Sequence, residues 1–212
     1  MKVGVSLLAA DYSALGEQIK KLEKAGVDFF SFDIMDGHFV PNLTVGPATI
    51  KSCRNATTLP IECHLMIENP EKFLQEFLDA GCDIITVHLE STNKMKDLIN
   101  AVKSYGRKVS IAIKPETPTT AVIPFLDSVD MILVMTVDPG FAGQPFIDES
   151  EKIKALKSEI ERRKLNVEIM IDGGVNNETA KIVKKAGADM LVSASYILKN
   201  DYKTAIENLR NA

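Results

Sequence analysis

The stretch KVGVSLLAADYSALGEQIKKLEKAG, Lys2 to Gly26, reads as a strand followed by a helix, and the turn between them decides the fold. Apolar residues fill the strand-like start, then recur at helical spacing from Tyr12 until Gly26 closes the pattern. The same alternation runs to the end of the chain. DFFSFDIMD, PIECHLMI, DIITVHL, KVSIAI, MILVMTV, VEIMID and DMLVSAS are each strand-like, and each precedes a helical pattern. In the fifth unit, TPTTAVIPFLDSV is expected to be helical with Pro124 irregular inside it. Regular strand–helix alternation implies a parallel sheet, because each crossover needs a helix. An open, doubly wound sheet normally carries GxGxxG or GxxxxGK[ST] in its first turn, and Leu7 to Gly16 has neither. Eight units therefore predict an α/β fold, a single-domain (β/α)8 TIM barrel over residues 1–212, where ~250 residues is usual.

Composition narrows the function. With 45% hydrophobic and 25% charged residues the chain is that of an ordinary globular protein. The net charge of −4, with dispersed Lys and Arg, offers no footprint for nucleic acid or an anionic membrane. No window has ~18 consecutive apolar residues, and the N-terminal run lacks the form of a signal peptide. Cys53, Cys63 and Cys82 show no CxxC spacing, so reduced thiols in a cytoplasmic protein are expected.

In a barrel of this kind the chemistry sits at the C-terminal ends of the strands. The polar residues expected there are Ser6, Ser31, Asp33, His64, His88, Thr136, Asp172 and Ser193. Asp33 and Asp172 end strands two and seven and can face each other across the axis, with His64 beside Asp33. Two opposed carboxylates suit epimerisation: one removes a proton from a carbon next to a carbonyl, and the other returns a proton to the opposite face. The enolate formed needs charge stabilisation, which a divalent metal held by the same carboxylates and imidazole would supply. Simpler roles exist for each residue. Asp172 before Gly173-Gly174 also reads as a helix N-cap, His64 as a buried hydrogen-bonding group, and Met35, Met66 and Met135 as core filler. The glycine-rich DGG at 172–174 and the SAS at 193–195 fall where such barrels usually bind phosphate. Pro139 to Gln144, PGFAGQ, is long enough to close over a ligand.

SLLAAD, DIMDGHFVPNLTVGP, CHLMIENPEKF, AGCDIITVHLE, MTVDPGFAGQPF and IDGGVNNETA closely resemble the successive signatures of ribulose-phosphate 3-epimerases, over essentially the whole chain. The resemblance implies a barrel that interconverts 3-epimers of a ketose phosphate with a divalent metal (Zn, or Mn, Mg, Fe or Co). It makes Asp33 and Asp172 the acid/base pair and metal ligands, and His64 a third ligand. Ser6 would touch the sugar, and Met35, Met66 and Met135 would line the enediolate. Gly143 would belong to the loop that covers the substrate, and Gly173, Gly174, Ala194 and Ser195 to the phosphate site. It further implies a cytoplasmic dimer or hexamer.

Two positions depart from the family pattern. The family writes strand two as His-x-Asp, with that His a fourth metal ligand, and here the motif is Ser31-Phe32-Asp33. Ala194 stands where a glycine usually precedes Ser or Thr. Ser31 implies a weaker metal site or a shifted metal preference. D-Ribulose 5-phosphate to D-xylulose 5-phosphate is the expected reaction. D-Allulose 6-phosphate to D-fructose 6-phosphate is the alternative within the family, and a catalytically silent phosphosugar-binding barrel the alternative outside it. A decarboxylase or aldolase would want a strand-end lysine, for which Lys114 is the one candidate.

Overall fold

Alternation along each strand sorts the side chains of this protein into two separate cores. The computed structural model describes residues 1–212. Its strands are β1 (Lys2–Ser6), β2 (Phe29–Met35), β3 (Ile61–Met66), β4 (Ile84–His88), β5 (Lys108–Ile113), β6 (Met131–Met135), β7 (Glu168–Asp172) and β8 (Met190–Ser193). They pair in parallel and in chain order, and β8 pairs back onto β1 to close the barrel. The outward row, including Val5, Phe30, Leu65, Val87, Ile111, Val134 and Ile171, is continuous with the buried faces of the helices. The inward row forms a second cluster built from Phe29, Ile84, Leu133, Met170, Met190 and Val192. Strands buried on both faces read as near-continuous apolar runs, as these do.

The surrounding helices are α1 (Leu15–Lys24), α2 (Pro47–Arg54), α3 (Leu74–Asp79), α4 (Met95–Ser104), α5 (Ser150–Arg162), α6 (Asn177–Ala186), α7 (Ser195–Leu198) and α8 (Tyr202–Asn211). The helix expected after β5 is absent. Thr119–Ala121 and Ile123–Ser128 are 3-10 turns, because Pro118 and Pro124 each remove a backbone donor and obstruct the preceding turn. None of the helices is long and apolar enough to cross a membrane.

The floor of the barrel is plugged. Phe29 turns its ring inward beneath Gly4, where an added Cβ would lie 2.2 Å from the ring. Lys2 and Glu168, at the starts of β1 and β7, close the rim below with a 2.6 Å ion pair.

The expectation of three reduced thiols is corrected. Cys63 of β3 and Cys82, just before β4, point into the same layer between barrel and helices and are disulfide-bonded, with Cα atoms 6.3 Å apart. Cys53 remains a buried free thiol. Linear spacing of 19 residues hid a contact made by the β3–α3–β4 crossover.

Candidate active site

Register assembles the site. Asp33 of β2 lies opposite His64 of β3, and Met35 opposite Met66, all on the inward row. Asp172 reaches the same point from the end of β7, so that one oxygen or nitrogen of Asp33, His64 and Asp172 all lie within 4.8 Å of one another. His64 Nδ1 is 3.0 Å from Asp33 Oδ1 and 3.7 Å from Asp172 Oδ2. The other Asp33 oxygen accepts a 2.5 Å hydrogen bond from Ser6 Oγ at the end of β1. Asp172 is not a helix cap: Asn176 caps α6, in a capping box completed by Thr179.

Burial sets the electrostatics. The Asp172 carboxyl is raised well above the usual carboxylate range, first by desolvation and then by the negative charge of Asp33. Burial alone would lower His64, yet its hydrogen bond to Asp33 and the surrounding carboxylates raise it. A third carboxyl, Glu62, lies one inward position below His64 and is fully buried, which raises it too. Glu62 Oε1 accepts from Thr86 Oγ1 at 2.5 Å, while Glu62 Oε2 and Ser31 Oγ meet no protein partner in hydrogen-bond geometry. No Lys or Arg is among the buried residues. Two carboxylates and an imidazole converging there, with a third carboxyl below and no Lys or Arg, fit a divalent metal ion.

Behind His64 the polar contacts continue. His64 Nε2 is 2.9 Å from His88 Nε2, and His88 Nδ1 is 3.3 Å from Glu90 Oε2. Burial pushes His88 down to about 4. Burial would raise Glu90, but hydrogen bonds from His88, Thr117 and the Lys114 N–H bring it down to about 2.

Above the triad opens a cavity of about 400 Å³, whose lining contains Ser6, Asp33, Met35, Met66, Met135, Gly143, Asp172, Gly173, Gly174, Ala194 and Ser195. That volume suits a small ligand. Two expected residues lie elsewhere: His64 and Ser31 sit beneath the cavity and do not line it. Gly174 requires its glycine, since φ is +62° and a Cβ would come within 2.9 Å of the Phe146 backbone. The β2 and β6 loops meet at the mouth, where Asn42 Nδ2 donates to Gly140 O at 2.7 Å.

Two strand-end hydroxyls serve the scaffold. Thr136 donates to Gly173 O at 2.6 Å, and Ser193 donates to Val175 O at 2.8 Å, so both shape the loop after β7. Lys114 does not enter the cavity; its Nζ lies 4.5 Å from the centre of the Phe39 ring. Sequence reasoning missed Glu62, Thr86, Ser110 and Glu90. The signal for the first three was present as polar residues two apart in IECHLM, IITVH and KVSIAI, read against barrel closure.

Comparison with known proteins agrees with the resemblance. The model described as "Ribulose-phosphate 3 epimerase family" matches residues 2–198. The ribulose-phosphate 3-epimerase of Methanocaldococcus jannaschii is 49% identical, over 100% of this chain and 91% of the relative. That of Bacillus subtilis is 43% identical, over 100% of this chain and 99% of the relative. A 3-hexulose-6-phosphate synthase structure from Salmonella typhimurium superimposes with a TM-score of 0.73 at 18% identity, covering 100% of this chain and 97% of that one. That likeness is one of fold alone. With matched sequence running from the first strand through α7 and full-length relatives well above 30% identity, the chain belongs to the ribulose-phosphate 3-epimerase family.

Proposed function

We propose that this protein is an isomerase that interconverts D-ribulose 5-phosphate and D-xylulose 5-phosphate by removing and returning the proton at C3. One observation carries the reading: Asp33 and Asp172 arrive from β2 and β7 and come within 3.0 and 3.7 Å of His64 Nδ1, both lining one cavity. Epimerisation at a carbon needs one base and one acid on opposite faces, in different protonation states. Asp33 is held by a hydroxyl donor and an imidazole, contacts that suit a carboxylate, while burial and the charge of Asp33 raise the affinity of Asp172 for a proton. Asp33 would take the C3 proton, the electron pair would move onto the C2 carbonyl oxygen, and Asp172 would deliver its proton to the opposite face of C3. The reverse direction exchanges the two roles.

Asp33, His64 and Asp172 would hold a divalent cation, which supplies charge stabilisation to the developing oxyanion. In this reading Zn²⁺, or Mn²⁺, Mg²⁺, Fe²⁺ or Co²⁺, is held less tightly than a four-ligand protein site would hold it, because Ser31 offers only a neutral hydroxyl. Metal analysis of protein purified without chelator tests this. No bound metal, together with chelator-insensitive turnover, overturns it. Ser6 would contact the sugar, Met35, Met66 and Met135 would supply an apolar wall, and Gly143, Gly173, Gly174, Ala194 and Ser195 would surround the phosphate at the other end of the cavity. The names of the relatives favour the pentulose phosphate over the hexulose phosphate and over a silent binding barrel. A homo-oligomer, dimer or hexamer, in the cytoplasm completes the reading, and light scattering after size-exclusion chromatography measures the assembly.

Proton NMR in deuterium oxide tests the reaction directly. Loss of the C3 proton signal from D-ribulose 5-phosphate as D-xylulose 5-phosphate forms is the expected result. Binding without exchange overturns it.

A further inference from the structure

An imidazole offers a cation only the nitrogen that carries no proton, so something must decide which nitrogen of His64 that is. The surroundings of His88 and Glu90 decide it. Glu90 accepts three hydrogen bonds from the β4–β5 side of the mouth: from Thr117 Oγ1, from the Lys114 N–H at 3.0 Å, and from His88 across 3.3 Å. A carboxylate so placed is an acceptor only, so the proton between it and His88 resides on His88 Nδ1. His88 Nε2 then presents a lone pair to His64 Nε2, 2.9 Å away, and His64 must donate there. Without metal His64 Nδ1 also donates, to Asp33 at 3.0 Å, and with Nε2 committed to His88 it is this proton, facing Asp33 and Asp172, that a cation would displace. Both rings are fully buried and nearly parallel, with centroids 5.0 Å apart, and Phe39 packs against His88 at 4.9 Å. Neither imidazole can turn over without losing a buried partner.

We propose that His88 and Glu90 are positioning residues that hold a proton on His64 Nε2, so that Nδ1 is the nitrogen a cation would take. Partners on the far nitrogen of a metal-ligating histidine typically contribute 10–100-fold to metal affinity. The link to metal rests on the ligand set proposed above. The protonation pattern itself does not, and the two are tested separately.

The chain has three histidines, and His38 is exposed, so long-range ¹H–¹⁵N spectra of chelator-treated protein resolve the buried pair. Neutral His88 with its proton on Nδ1 and a bare Nε2 is expected, a pattern that addition of Zn²⁺ leaves unchanged. His88 protonated on Nε2, or on both nitrogens at neutral pH, overturns the proposal whatever the protein catalyses. In the second arm, Zn²⁺ affinity is measured by chelator competition for His88→Gln and His88→Leu. The Gln carbonyl still accepts from His64 Nε2 and should hold affinity within a few-fold, whereas Leu cannot accept and should lose about 10–100-fold. Equal affinities for the wild type and the Leu variant overturn the positioning role. Should the Leu variant fail to fold, the wild-type spectrum still decides.

Discussion

The inside of this barrel has two unlike halves. From β2 to β5 the middle of the inward row is polar, with Ser31 and Asp33, Glu62 and His64, Thr86 and His88, then Ser110, between apolar Phe29 and Ile84 below and Met35 and Met66 above. From β6 to β8 it is apolar, with Met131, Leu133, Met135, Met170, Met190 and Val192, and Asp172 stands alone above them. A polar core is costly unless its groups satisfy one another. In the polar half most do, through the Thr86–Glu62 bond and the Asp33–His64–His88–Glu90 chain. Asp172 stands over the apolar half at the edge of the cavity, and burial there, with the charge of Asp33, raises its affinity for a proton. One half fixes directions, the other sets a proton affinity.

The largest effect should follow from removing the lone carboxyl of the apolar half. Asp172→Asn should cut turnover by about 10²–10⁴-fold or more, the range for a lost acid/base group, while thermal stability is kept. Steady-state kinetics beside a melting curve check it. Filling matters more than bonding in that half, so Met170→Ala should cost about 2–5 kcal/mol by urea titration. In the polar half the near-isosteric Thr86→Val takes from Glu62 its 2.5 Å donor and should cost about 1–3 kcal/mol. If the two substitutions rank the other way, the division into a packed half and a bonded half fails.

Acidity gives a subtler probe. Asp172 and His64 are both raised, so the folded, metal-free protein holds protons that the unfolded chain releases. Their stabilisation is present at low pH and is lost as pH rises. Lowered His88 works oppositely, but only below the ordinary histidine value of 6.5. Above that value, stability of chelated protein should decline with pH, by at most about 1.4 kcal/mol per unit for each proton. Asp172→Asn should flatten the decline, as melting curves across pH would record. The smallest effect belongs to Ser31. Its hydroxyl has no protein partner, so Ser31→Ala should change stability by less than about 1 kcal/mol. Ser31→His, by contrast, should raise metal affinity, read by chelator competition.

Much of this was legible in the chain. The strand–helix alternation and the bare first turn gave the barrel, and strand ends gave Asp33, His64 and Asp172. These are local patterns, one strand or one turn at a time. Glu62 was not legible because IECHLM alone does not say which row faces inward; closure of the sheet around Asp33 and His64 settles that. Ser193 does reach the cavity wall, though its hydroxyl bonds a loop carbonyl, whereas Thr136 bonds loop carbonyls and does not line the cavity. The Cys63–Cys82 bond joins residues brought together by a crossover, and the missing fifth helix shows two prolines overriding an apolar pattern.

The Phe29 ring beneath Gly4 fills the barrel on the side away from the chamber, which leaves the loop side for solvent isotopes to enter. Hydrogen taken from a substrate carbon would exchange with bulk water from the loop side, where Asn42 and Gly140 join two of the loops. The rate at which label washes out of the carboxyl groups between turnovers should therefore read how readily water reaches them from that side.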